Sequence, residues 1–111
     1  MDIRRGEVWW VSFDPSIGGE IQKTRPAVVL SNNAANSVLN RVVVVPLSSQ
    51  TAKVYPAEAM VTLNGESRKA MADQIATASK ERFRTRIGAL SSADIRAVED
   101  VLLRFLAIHR S

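Results

Sequence analysis

Two stretches decide the fold: TRPAVVLS at residues 24–31 and RVVVVPLSSQ at residues 41–50. Each is a short run of β-branched residues bounded by polar turns, which is the composition of a strand. Arg41 to Leu47 carries a continuous apolar, β-branched run, the pattern of a strand buried on both faces. Pro26 has no N–H and biases Arg25 towards extended backbone. Each stretch carries polar groups at a strand end, Arg25 in the first, Ser48 and Gln50 in the second. Arginine presents a planar fork of donors that suits a phosphate. A hydroxyl and an amide beside it complete a phosphate or base contact.

The same reading extends in both directions. GEVWWVSF at residues 6–13 is a third strand, ended by Asp14-Pro15, with Val8, Trp10 and Ser12 on one side and Trp9, Val11 and Phe13 on the other. A glycine-bearing loop follows, DPSIGGEIQKT. SNNAANSVLN offers helix caps and a short helical turn. Residues 58–63 alternate in part, Asn64-Gly65 signals a hairpin, and one returning strand is expected over residues 68–77. SKERF reads as a single turn and residues 84–90 as a last strand. From Ser91 the period becomes helical: Ser91 and Asp94 approximate a capping box, and Ile95, Val98, Leu102 and Phe105 form a stripe widened by Val101 and Leu106. Several short strands without crossover helices predict a mainly β (α+β) chain: a small β-barrel or strongly bent sheet, short helical turns and a C-terminal α-helix.

Composition narrows the function. The 111 residues fit one domain, taken as 1–111. There is no cysteine, which excludes disulfides, thiolate nucleophiles and zinc ribbons and fits a cytoplasmic protein. The N-terminus lacks the apolar core of a signal peptide, and no apolar run approaches a membrane span. A net charge of +4 favours acidic partners, either nucleic acid or an acidic protein segment.

The inventory of reactive groups is spare. The sole histidine, His109, sits near the end of the chain, so a Ser–His–Asp triad is absent. No spacing of carboxylates indicates a metal site, and Gly18-Gly19 lacks the lysine and helix of a phosphate loop. An enzyme built from what remains works with arginine, hydroxyls, amides, isolated carboxylates and backbone donors. RNA cleavage suits that set, because RNA carries its own nucleophile, the 2′-hydroxyl. It needs a proton acceptor, a cation for the charged phosphorane and a donor for the leaving oxygen.

RRGEVWWVSFDP, GGE, KTRPAVVLSN, VVVVPLSSQ, AKVYP, ADQIATASKERF and IGALS occur in this order and cover nearly the whole chain up to the final helix. Each is a weak motif; together the chain resembles a MazF/PemK toxin, the endoribonuclease half of a bacterial toxin–antitoxin pair. The resemblance implies an SH3-like barrel of the CcdB/Kid/MazF kind and a homodimer. It implies cleavage of single-stranded RNA at short sequences without metal or other cofactor, leaving a 2′,3′-cyclic phosphate (or its opened form) and a 5′-hydroxyl. It also implies a cognate antitoxin whose acidic segment covers the RNA groove. By the same resemblance Arg25 stabilises the phosphorane, Ser48 takes the place of the usual threonine, and Glu20 is the acidic residue of the first long loop. Gln50 and Gln74 line the RNA groove, with Ser49, Lys53 and Lys23 as further RNA-binding candidates.

Each residue also has a plainer reading. Arg25 suits a surface ion pair, Ser48 and Ser49 suit a turn, Glu20 suits a solubilised loop, and Gln74 suits a strand edge. One tryptophan of the Trp9-Trp10 pair faces the core; the outward one packs in an interface or stacks on a base. Arg82, Arg84 and Arg86 alternate, forming one basic stripe if they lie on a strand. Two competing functions are a gyrase-binding toxin similar to CcdB and an inactive SH3-like barrel that binds RNA or protein. Against the first, both tryptophans lie in the first strand rather than near the C-terminus.

Overall fold

The computed structural model describes residues 2–14 and 23–109. Glu20 lies outside the described residues. Within them the strands are β1 (Glu7–Ser12), β2 (Thr24–Val29), β3 (Arg41–Ser48), β4 (Glu58–Leu63), β5 (Glu66–Met71), β6 (Ala76–Ser79) and β7 (Phe83–Ala89), with helices α1 (Asn33–Val38) and α2 (Ser92–Phe105).

β3 is the spine. One edge pairs antiparallel with β2, Ala27 opposite Pro46 and Val29 opposite Val44. The other edge has two partners in succession: β6 along Arg41 to Val44, then β5 along Leu47 and Ser48. Pro46 lies in the gap between these partners, where a missing N–H costs no ladder bond on that edge. The hand-over corrects the expectation of one returning strand over residues 68–77. That segment is two strands, broken by a 3-10 turn at Ala72–Gln74, because its halves pair with different parts of β3.

The path continues β4-β5-β3-β2-β1-β7. The pairings are antiparallel, and the sheet curls until its two ends meet. Asn64, in the β4–β5 hairpin, donates from Nδ2 to the Ile87 carbonyl at 3.2 Å. Gly88 permits the approach, since a Cβ there would lie 2.8 Å from Asn64 Oδ1. Asn64 and Gly65 hold φ of 51° and 81°, the left-handed pair that a tight two-residue hairpin requires.

Both faces of the curl are buried. On one, Val8, Val28, Val45, Leu47, Val61 and Leu63 pack beneath α2, which contributes Ile95, Val98 and Val101. Ser91 caps the helix, its Oγ accepting from the Asp94 N–H. Asp94 does not close the capping box. Its carboxylate accepts from the Thr62 N–H on β4 at 2.8 Å, satisfying an edge-strand donor. Phe105 and Leu106 extend the apolar stripe as spaced, but both are exposed.

On the other face, Trp9, Val11, Ala27, Val29, Val42, Val44 and Phe83 form a second cluster. Trp9 and Phe83 meet edge-on, centroids 5.8 Å apart. β1 keeps the expected sides: Val8 packs in the cluster under α2 and Trp9 in the second cluster, so both are buried, while Trp10 is exposed; the pairing with β7 is irregular around Trp9. The arginines near β7 are engaged with protein rather than forming an open stripe. Arg82 lies in a 3-10 turn (Lys80–Arg82) and donates to the carbonyls of Ser12 and Asp14 at 3.1 and 2.7 Å. Arg84 donates to the Glu81 carbonyl, and Arg86 pairs with Glu7 at 2.9 Å.

Two measurements check this core. Phe83→Ala should lower the unfolding free energy by about 3–5 kcal/mol in chemical denaturation. A loss under about 0.5 kcal/mol, the size of a surface change, would mean the second cluster is not a packed core. Glu7 supplies the other. Burial raises its carboxyl pKa, but hydrogen bonds from the Arg4 N–H and the Trp9 indole, with the Arg86 charge and hydrogen bond, outweigh it, leaving the pKa below 4.5. A carboxyl depressed on folding adds stability above its unfolded pKa and loses it as pH falls through the folded value. Glu7→Gln should therefore flatten the fall in stability below pH 4.5; parallel curves for parent and variant would contradict it.

Candidate functional site

Three strand ends converge on one side of the sheet. The β1–β2 register sets Trp10 opposite Pro26 and Val11 opposite Arg25. The β2–β3 register, Ala27 opposite Pro46, carries Arg25 and Ser48 to the same end when continued two residues. Between them opens a cleft of about 280 Å³ lined by Trp10, Lys23, Thr24, Arg25, Pro26, Leu47, Ser49 and Arg68. Three cationic residues thus share a wall with an exposed indole: Trp10 is 41% accessible although it lies in a central stretch of β1. Cations beside an aromatic face suit an anionic, planar ligand, phosphate to the guanidinium and a base to the ring.

Lys23 forms the neck of the first long loop. Its N–H donates to Asp14 Oδ1 at 2.8 Å, and its carbonyl accepts from the Phe13 N–H at 2.8 Å. Its φ of 63° is left-handed, a cost that a non-glycine residue bears where the surroundings hold it. Ser48 is 5% exposed and its Oγ accepts from the Gln50 N–H at 3.1 Å, as a turn residue does. A hydroxyl that accepts one bond still has its own proton to donate.

The cleft therefore gathers Arg25, Lys23 and Ser49, whereas Ser48 is buried and does not line it. Gln50 and Lys53 lie exposed on the adjoining β3–β4 connection and do not line the cleft. Gln74 stands apart, in the 3-10 turn that packs against α2, β3 and β4. Arg68 went unnoticed in the sequence. It reaches the cleft from β5, next to the Ser48–Lys69 pairing, while its guanidinium also donates to the Ser67 carbonyl at 3.0 Å and meets Glu66 at 3.3 Å. Only the β3–β5 register could have placed it. Among the described residues no three His, Cys, Asp or Glu side chains gather as a metal site, and no helix is long and apolar enough to cross a membrane.

Comparison with known proteins gives a consistent result. Residues 4–106 match the model of a family described as the PemK-like, MazF-like toxin of type II toxin–antitoxin systems. The chain is 38% identical over 109 residues to the endoribonuclease MazF9 of Mycobacterium tuberculosis, covering 90% of this chain and 92% of that one. It is 36% identical over 97 residues to the endoribonuclease toxin MazF of Escherichia coli K12, covering 85% of each. In structure it resembles MazF from Deinococcus radiodurans with a TM-score of 0.87, at 27% identity over 97% of this chain and 99% of that one. The MazE–MazF complex from the same organism shares the fold, with a TM-score of 0.78 at 24% identity over 98% and 99% of the two chains.

The wall of cations generates a direct prediction. If Arg68 meets a phosphate, Arg68→Gln should weaken binding of a single-stranded oligonucleotide and lower the slope of log affinity against log salt by about 0.7, one contact's worth. An unchanged slope would remove Arg68 from the binding surface.

Proposed function

This chain belongs to the PemK-like, MazF-like toxin family of type II toxin–antitoxin systems, and on that premise we propose that residues 1–111 act as one toxin domain, a sequence-specific endoribonuclease that arrests translation and growth. The substrate is single-stranded RNA, cut by attack of its own 2′-hydroxyl on the adjacent phosphorus. The 5′-oxygen leaves, giving a 2′,3′-cyclic phosphate (or its opened 3′-phosphate) and a 5′-hydroxyl. The observation that carries the reading is Arg25 at the start of β2, beside exposed Trp10 and Ser49 in one cleft.

In this mechanism the Arg25 guanidinium holds the phosphate oxygens that gain charge in the phosphorane. It acts as a charge donor rather than a base, because arginine stays protonated. Ser48 donates its hydroxyl proton to a phosphate oxygen while it accepts from Gln50. Glu20 serves as the acidic group that exchanges a proton with the reacting oxygens. Lys23 and Ser49 hold the phosphates on either side; Gln50, Lys53 and Gln74 bind the strand beyond the cleft. No metal or other cofactor is needed, since the substrate brings the nucleophile and the protein brings the charge. The toxin works in the cytoplasm as a homodimer, and its antitoxin lays an acidic segment along the same basic cleft, inhibiting by occlusion.

Arg25→Ala should fold normally and cut a long single-stranded RNA in excess EDTA some 10²–10³-fold more slowly than the parent, the cost of one preorganised donor (about 2.7–4 kcal/mol). Cleavage at the parent's rate would relocate the centre. Ser48→Thr should stay active and Ser48→Ala should slow the reaction; three equal rates would remove Ser48 from the mechanism. Intact RNA from folded parent protein would overturn the ribonuclease reading in favour of a toxin that binds gyrase.

A further inference from the structure

The β3–β4 connection, residues 49–57, leaves the cleft at Ser49 and carries Gln50 and Lys53 on a path with no strand partner of its own. One side chain gathers its far half. Lys69 stands on β5 opposite Ser48 and is only 7% exposed. Lysine is almost never buried without partners, and this one has three in the connection and at its end. Its Nζ donates to the Lys53 carbonyl at 2.9 Å, pairs with Glu58 Oε1 at 3.1 Å, and lies 5.4 Å from the centre of the Tyr55 ring. Glu58 Oε1 also accepts from the Tyr55 N–H at 2.8 Å, and the Tyr55 carbonyl accepts from the Glu58 N–H at 2.9 Å. The result is a closed knot of Lys53, Tyr55, Glu58 and Lys69.

A structural need alone does not explain the choice of lysine here. An apolar side chain of similar volume buries the same stem without desolvating an ammonium, and such replacements of buried ion pairs are often neutral or stabilising. What the ammonium adds is geometry: three donors that fix where the chain at Lys53 and Tyr55 sits relative to Ser48. One end of the connection is set by the Ser48–Gln50 turn and the other by Lys69, so Gln50 and Lys53 are held at a defined distance from Arg25.

We propose that Lys69 is a positioning residue for sequence choice. By holding residues 49–57 in one conformation, it presents Gln50 and Lys53 to the nucleotides flanking the cut, without itself touching the reacting phosphate. The inference rests on the ribonuclease reading above but has a consequence in the free protein. The backbone amides of Tyr55 and Glu58, the two that donate within the knot, should be protected by it and released when it is broken.

The test compares the parent, Lys69→Met and Glu58→Gln in two measurements. The first is amide hydrogen exchange without RNA. Lys69→Met should speed exchange at the Tyr55 and Glu58 amides and leave β1 and β2 as in the parent, with Glu58→Gln acting in the same direction and less strongly. The second is cleavage of a long single-stranded RNA with every cut mapped, plus kcat and KM on an oligoribonucleotide spanning the parent's strongest cut. Lys69→Met should raise KM about tenfold, as for loss of a fixed contact or two, with kcat nearly unchanged and additional cuts at related sequences. The double variant should be no worse than Lys69→Met alone, since both substitutions break one knot. Unchanged exchange overturns the proposal whatever the RNA does. So does faster exchange with the parent's KM and cut pattern, or a fall in kcat alone. If Lys69→Met does not fold, Glu58→Gln carries both measurements by the same criteria. A parent that cuts no RNA refutes the ribonuclease reading and with it the role in sequence choice, while the exchange result still decides whether Lys69 holds the connection.

Discussion

The division of one edge of β3 between two partners is the constraint on which the remainder of the structure depends. β6 takes Arg41 to Val44 and β5 takes Leu47 and Ser48, so the sheet must bend where the partner changes, and Pro46 stands at the change. The bend curls the path β4-β5-β3-β2-β1-β7 far enough for Asn64 to reach Ile87. It leaves two apolar faces, one under α2 and the other around Trp9 and Phe83. It also swings β5 across the end of β3, which is how Arg68 and Lys69, neighbours in sequence, come to face the cleft and the β3–β4 connection respectively.

The cleft inherits its chemistry from that geometry. Trp10 stands exposed opposite Pro26 on the face away from Trp9, which keeps its place in the core through Phe83 and the Glu7 carboxylate. Arg25 is held extended by Pro26 at the first residues of β2. The arginines that looked like a basic stripe are committed elsewhere: Arg82 clamps the end of β1 and Arg86 pairs with Glu7. Lys23, Arg25 and Arg68, the last also paired with Glu66, share one cleft with Trp10, and cations beside an aromatic ring suit a single strand of nucleic acid.

Local signals in the sequence were enough wherever neighbours in the chain decide the outcome. The Asn64-Gly65 hairpin, the Ser91 cap, the short α1 and the doubly buried run of β3 all follow from residues within a few positions of one another. Signals failed where the outcome depends on pairing between distant segments. Nothing in MADQIAT marks the break between β5 and β6, because the cause is β3. Asp94 abandons its own helix cap for Thr62, because β4 is an edge. Of the residues singled out by their positions at strand ends, Arg25 lines the cleft while Ser48 and Gln50 do not; Arg68 and Lys69 look like ordinary surface charges until the register places them, and Gln74 sits away from the cleft because the turn that contains it packs on α2.

The proposed function comes down to one claim: RNA lies across the ends of β1, β2 and β3, with a base against Trp10 and a phosphate on Arg25. The most direct test is to bind an oligoribonucleotide made uncleavable by a single 2′-deoxy substitution at the mapped cut and to follow backbone and side-chain NMR shifts on titration. The largest shifts should fall on Trp10, Lys23, Arg25, Ser49 and Arg68, with smaller ones along residues 50–57 and α2 unmoved. Shifts concentrated on α2 or β7, with the Trp10 indole and the Arg25 guanidinium silent, would contradict the account.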